Sequence, residues 1–136
     1  MEPSKIIKDS QYNYIFSFTQ EDVNLFAKAT GDSNPIHLDQ TYAKNTIFNG
    51  PIIHGFLGGS VFSKVFGTLW PGEGTIYLKQ NLKFVKPMRI ALEYSAVFKV
   101  IEVYPDKHRA LVKTDIFHND VLVIEGEALI MNHHKI

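Results

Sequence analysis

An acid and an imidazole stand five residues apart in the stretch Gly31-Asp-Ser-Asn-Pro-Ile-His37. A carboxylate and a neutral imidazole can each accept or donate a proton, so aiming both at one small molecule suits the movement of two protons around one water. A continuous helix would not place positions five apart on one face. A bend stiffened by Pro35 can. The same residues are also ordinary turn formers, because Asp, Ser and Asn beside Gly and Pro hydrogen-bond their own backbone and reverse the chain. Spacing alone leaves both readings open.

A second feature lies further on, at His54-Gly55, ahead of a long apolar stretch. A backbone N–H at a helix N-terminus has no intrahelical acceptor and lies at the positive end of the helix dipole. Gly55 has no side chain to block it, so it could donate to a developing oxyanion. A glycine here also eases a tight entrance into a helix, and both readings stand. His54 itself reads as a structural histidine.

These residues need a scaffold. Tyr12, Tyr14, Phe16 and Phe18 fall on one face of a strand. Thr19 caps a helix with Asp22 three residues on, and Gly31 ends it. A short helix is expected over Asp39–Lys44, and Asn49-Gly50-Pro51 breaks the chain. From about Ile53 to Leu69 the pattern predicts a helix apolar around most of its girth, hence buried. Gly55, Gly58 and Gly59 weaken it intrinsically and point to close approach of another group. Pro71-Gly72 stops it. Ile76, Leu78, Gln80, Leu82 and Phe84 alternate with Tyr77, Lys79, Asn81, Lys83 and Val85, and Leu92–Val103, Ala110–Phe117 and Val121–Met131 come next as strands. One buried helix with four or five long strands predicts an α+β fold with an antiparallel sheet wrapped around the helix.

Composition narrows the function. The 136 residues fit one domain, 1–136, and 45% apolar content with ten Phe and six Tyr supports a core. A formal net charge of zero gives no field for nucleic acid or an anionic membrane. Without cysteine there is no disulfide, thiolate nucleophile or zinc–thiolate site. No apolar run approaches the ~20 residues of a membrane helix, and Met-Glu-Pro-Ser-Lys carries no signal-peptide core. A cytoplasmic protein is expected. Six histidines are present, but none is arranged as His-x3-His and no carboxylate cluster stands out, so no catalytic metal is expected.

Two stretches together resemble a known family. Phe26-Ala-Lys-Ala-Thr-Gly-Asp-Ser-Asn-Pro-Ile-His37, with Ala43 six residues after the histidine, resembles the hydratase-2 motif of the MaoC-like dehydratases. Gly50-Pro-Ile-Ile-His-Gly55 and Ser60-Val-Phe-Ser63 resemble the stretch after that motif in short (R)-specific enoyl-CoA hydratases. The likeness spans nearly the whole chain. Ala29 departs from the motif's usual larger aliphatic residue or glycine, and Met1–Ile15 is not distinctive.

The resemblance implies a hot-dog fold, a homodimer, and reversible addition of water to a trans-2-enoyl-CoA giving the (R)-3-hydroxyacyl-CoA. It assigns Asp32 and His37 as the catalytic pair, Gly55 N–H as oxyanion donor, and Ser63 to a position near substrate, with no cofactor beyond the thioester substrate itself. Asn34 is expected to hold the loop. Phe56, Phe62 and Phe66 are candidates for the acyl tunnel or for plain core. Lys79, Lys83, Lys86 and Arg89 are candidates for CoA phosphates or for a solvated strand face. Two other functions stay open: a dehydratase for acyl-carrier-protein thioesters with the same catalytic residues, and a non-catalytic acyl-thioester binding module.

Overall fold

The computed structural model describes residues 5–136. The expectation of no signal-peptide core rests partly on residues 1–4, which lie outside that range. Strand β1 (Gln11–Phe16) turns its aromatic residues inward, with Tyr12, Tyr14 and Phe16 half-buried. It ends two residues before Phe18, ahead of the cap of α1 (Gln20–Thr30). There the capping box forms in both directions: Asp22 N–H donates to Thr19 Oγ1 at 3.1 Å and Thr19 N–H to Asp22 Oδ2 at 2.9 Å. Gly31, at φ 79°, closes the helix by donating its N–H to the Ala27 carbonyl at 2.9 Å.

The turn signal after Gly31 runs directly into a one-turn helix, α2 (Pro35–Leu38), which the sequence pattern alone does not announce. Pro35 sits where a missing N–H costs nothing. Asn34 Oδ1 caps the turn by accepting from Ile36 N–H at 3.2 Å. Helix α3 (Gln40–Lys44) is present as expected, capped by Asp39.

The central helix α4 (Gly55–Lys64) continues as a π-helical segment over Val65–Leu69. It starts two residues later than the apolar run suggests, because Ile53 is held extended by its N–H on the Met88 carbonyl at 2.8 Å. Its glycines are explained by close approach. A Cβ on Gly55 would meet the Phe84 ring at 2.7 Å, and one on Gly58 would meet Met88 Sδ at 2.7 Å.

The sheet comprises β1, β2 (Ile76–Phe84), β3 (Tyr94–Tyr104), β4 (Arg109–His118) and β5 (Val121–Met131), in the order β1-β3-β4-β5-β2 with every neighbouring pair antiparallel. Its inner face carries Ala96, Phe98, Val100, Val112, Ile116, Ile124 and Ile130, all buried against Phe62, Val65 and Phe66 of the central helix. Phe98 sits edge-on to Phe62 at 5.6 Å and to Phe66 at 5.2 Å. Each such ring contributes ~1.5–3 kcal/mol by burial, which anchors the helix and hence its N-terminus.

Strict alternation along β2 fails at one point. Tyr77 faces Ile130 and Lys79 faces the next residue, Leu129, so Leu78 is an extra residue in the ladder. A bulge of one residue inverts the side-chain parity on either side of it. Tyr77 therefore turns inward, edge-on to Phe66 at 5.4 Å, and hydrogen-bonds the Gln80 side chain. Burial pushes its phenol well above the usual range. No helix among the described residues is long and apolar enough to cross a membrane.

Candidate active site

The loop after α1, the one-turn helix α2 and the N-terminus of α4 meet at one point. Asp32, His37 and His54 offer a carboxylate oxygen and two ring nitrogens that all lie within 4.8 Å of one another. Asp32 is exposed, whereas His37 and His54 are 9% and 2% exposed. The bend thus brings together the two residues singled out by spacing.

Local hydrogen bonds fix each member. Asp32 N–H donates to Thr30 Oγ1 at 3.2 Å, and Asp32 Oδ1 accepts from Asn34 N–H at 3.4 Å. Asn34 thus holds the loop through its backbone as well as capping α2. His37 Nδ1 lies 2.7 Å from the Ile52 carbonyl. A carbonyl only accepts, so Nδ1 carries the proton and Nε2 is left with a free lone pair in the neutral ring. The strand-like run before α4 supplies that carbonyl, and Ile52 N–H returns to the Ile36 carbonyl at 3.2 Å.

Next to this cluster is a cavity of about 390 Å³, walled by His37, Ile52, Gly55, Phe56, Phe84 and Met88 among others. The wall is apolar except at a few points, as small-molecule sites usually are. Gly55 is the first residue of α4, and among the described residues its N–H has no acceptor. Gly55 and the His37 imidazole therefore border the same space.

The remaining candidates separate. Phe56 lines the cavity and is 71% exposed. Phe62 and Phe66 do not face it: at 0% and 1% exposure they are core residues against Phe98. Ser63 lies on the exposed side of α4, outside the cavity wall. Of the basic residues, Lys86 lines the cavity, while Lys79 and Lys83 stand exposed on β2. Arg89 is committed to structure, donating to the carbonyls of Pro51, at 3.2 Å, and Phe48.

His54 is a neighbour of the pair that spacing does not reveal. It lies 22 residues from Asp32 in sequence, and its Nε2 sits 3.0 Å from the Asp32 backbone carbonyl. Its ring lies against that of His37, with centroids 3.9 Å apart and the planes tilted by 31°. Only the apolar setting of His54, between Ile53 and a buried helix, hints at burial. Asp32, His37 and His54 are also the three residues here able to approach a cation. Their donors spread over up to 4.8 Å, against about 3.4 Å between ligands of a tetrahedral zinc. Each imidazole already has one nitrogen bound to a carbonyl.

A sheet wrapped around one buried helix is the hot-dog fold, here with an acid and an imidazole beside that helix's N-terminus. A sequence model described as "MaoC like domain" matches residues 5–119. The (R)-specific enoyl-CoA hydratase of Rhodospirillum rubrum is 38% identical over 115 residues, 85% of this chain and 80% of that protein. A mitochondrial 3-hydroxyacyl-[acyl-carrier-protein] dehydratase of Arabidopsis thaliana is 33% identical, covering 82% of this chain and 68% of its own. The solved (R)-hydratase from A. caviae involved in PHA biosynthesis superposes with a TM-score of 0.89 at 35% identity, over 93% of this chain and 97% of the other. The chain belongs to the MaoC-like dehydratase family.

Proposed function

We propose that the protein is a hydro-lyase that adds water reversibly to trans-2-enoyl-CoA thioesters to give (R)-3-hydroxyacyl-CoA. The observation that carries this is that His37 and the free Gly55 N–H share one apolar cavity, with the Asp32 carboxylate outside its wall but within 4.8 Å of the His37 ring nitrogen. Water held between the Asp32 carboxylate and His37 Nε2 donates one hydrogen to each. Its lone pair is then free to attack the β-carbon of the enoyl group. As the C–O bond forms, the alkene π electrons move through the α-carbon onto the thioester oxygen, and Gly55 N–H stabilises the charge there. Asp32 takes the proton from water. His37 hands a proton to the α-carbon, and because its neutral Nε2 starts without one, that proton reaches it from the water through the pair. Both additions occur on one face of the alkene, so the outcome is syn. The reaction needs no metal or cofactor in this scheme.

Lys86 at the cavity wall suits a phosphate of CoA, and the chain's zero net charge offers no broad attraction for an acidic carrier protein. The carrier-linked reaction remains the second reading because of the plant relative. Hydration of crotonyl-CoA, monitored as loss of the enoyl-thioester absorbance, tests the first reading, and the same assay on carrier-bound crotonate tests the second. Release of free CoA, scored with a thiol reagent, would instead mean thioester hydrolysis.

The outer edge of β2 has no partner among the described strands, and Ile76, Leu78 and Phe84 on it are exposed. Such an edge invites pairing. We propose a homodimer joined there, and sedimentation should give twice the chain mass; a stable monomer at micromolar concentration would reject it. Phe66 lies along the central helix beneath Tyr77. Although it packs in the core and not on the cavity wall, it is proposed to set how far an acyl chain can extend inward from the cavity, so Phe66→Ala should raise the rate on octenoyl-CoA relative to crotonyl-CoA. An unchanged ratio would remove Phe66 from specificity.

A further inference from the structure

We infer that His54 is a positioning residue for the proposed hydration, clamping Asp32 and His37 into register through its own imidazole. The inference deepens the functional reading above and rests on it. His54 is the N-cap residue of α4, yet its side chain makes no cap hydrogen bond. The ring turns toward the Asp32 loop instead. Nε2 lies 3.0 Å from the Asp32 carbonyl, which can only accept, so Nε2 carries the proton and donates it. The ring is held between Phe26, at 4.7 Å and 54°, and His37, at 3.9 Å and 31°. The remaining nitrogen, Nδ1, is buried without a partner. A buried polar atom left unpaired costs stability, and an apolar residue of similar size would avoid that cost. What the imidazole supplies in return is a set of three attachments from one rigid ring. It ties the acid's backbone to the helix start. It covers one face of the catalytic imidazole. Through the peptide bond it also places Gly55 N–H, its immediate neighbour.

The acid loop has little else to hold it. The loop hydrogen bonds at Asp32 are otherwise local, to Thr30 and Asn34, and the carboxylate is exposed. Loss of the His54 bond would let residue 32 drift relative to His37 without unfolding the sheet. A misplacement of about 1 Å between reacting groups costs on the order of 10²-fold in rate. The loss should fall on kcat rather than KM, since His54 is absent from the cavity wall.

Three substitutions separate positioning from packing. His54→Leu fills the space and removes the donor. His54→Asn retains a donor too short to reach the Asp32 carbonyl. His54→Gln places an amide N–H at about the reach of Nε2. On crotonyl-CoA, His54→Leu and His54→Asn should lower kcat by about 10–100-fold with KM little changed, and His54→Gln should recover most of it. In an Asp32→Asn background the difference between His54→Asn and His54→Gln should shrink to nearly nothing, because the donor that separates them holds only the Asp32 loop and the carboxylate it aims is already gone. Circular dichroism identifies variants that fail to fold. If His54→Leu is among them, His54→Asn against His54→Gln carries the same contrast. Equal rates for the donor-in-reach and donor-out-of-reach variants would overturn the inference, as would an undiminished difference between them in the Asp32→Asn background. A wild-type protein that hydrates no enoyl thioester would sink the functional reading itself, a separate result.

Discussion

Asp32→Asn and His37→Gln are each expected to lower the rate of crotonyl-CoA hydration by about 10²–10⁴-fold, the usual contribution of a positioned acid or base. Neither should disturb the fold. Asn at position 32 keeps an oxygen to accept from Asn34 N–H, and the loop's tie to His54 uses the backbone carbonyl rather than the carboxylate. Gln at position 37 keeps a polar head near the cavity but gives up the Nδ1–H bond to the Ile52 carbonyl, a local cost of about 1 kcal/mol. The double variant should be scarcely slower than the worse single one, since both groups handle one water and act as a unit. Thermal unfolding should stay close to that of the wild type while steady-state rates collapse. Intact rates in either single variant would remove the pair from the chemistry.

The second large effect is expected at Gly55, where the reacting group is a backbone amide and side-chain deletion says nothing. Gly55 is the first helical position of α4, and the preceding residue, His54, is extended at φ −52° and ψ 133°. That geometry accepts proline, which prefers the first helical turn and an extended predecessor. Gly55→Pro therefore deletes the N–H with the helix start preserved. It also adds a Cβ that would meet Phe84 at 2.7 Å, so Gly55→Ala is the necessary control: it adds the same atom and keeps the donor. Phe84 is 48% exposed and can yield to either. The proline variant should be slower than the alanine variant by about 10²–10³-fold in kcat, the typical loss for one oxyanion-hole donor. Equal rates for the two would mean that the amide does not stabilise the thioester oxygen.

Much of this arrangement is legible in the sequence, for identifiable reasons. Thr19, Asp22 and Gly31 mark both ends of α1 because capping is local chemistry, and the bonds form as the spacing implies. The buried helix is legible because its apolar positions exceed what one exposed face could carry. Asp32 and His37 stand out as an acid and an imidazole in one short stiff bend, but spacing leaves both turn and site open there, and the likeness to the hydratase-2 motif decides between them. The features that stay hidden depend on contacts distant in sequence. The bulge at Leu78 arises in pairing with β5, and no residue type in Ile76–Phe84 announces it. The late start of α4 is set by the Met88 carbonyl, far along the chain. From sequence, Phe62 and Phe66 favour core over tunnel without excluding either, and their packing against Phe98 places them in the core at this cavity. His54 meets Asp32 and His37 through the fold alone. No local pattern separates a histidine that braces a site from one that merely fills space.

One water, held by Asp32 and His37 on one side of the alkene, is proposed to supply both the hydroxyl and, through that pair, the proton. Hydrating crotonyl-CoA in heavy water and assigning both new stereocentres by NMR tests it directly. The account predicts a single product of (R) configuration at the β-carbon, with deuterium delivered to the α-carbon on the face that receives the hydroxyl. The (S) alcohol, or deuterium on the opposite face, would contradict it.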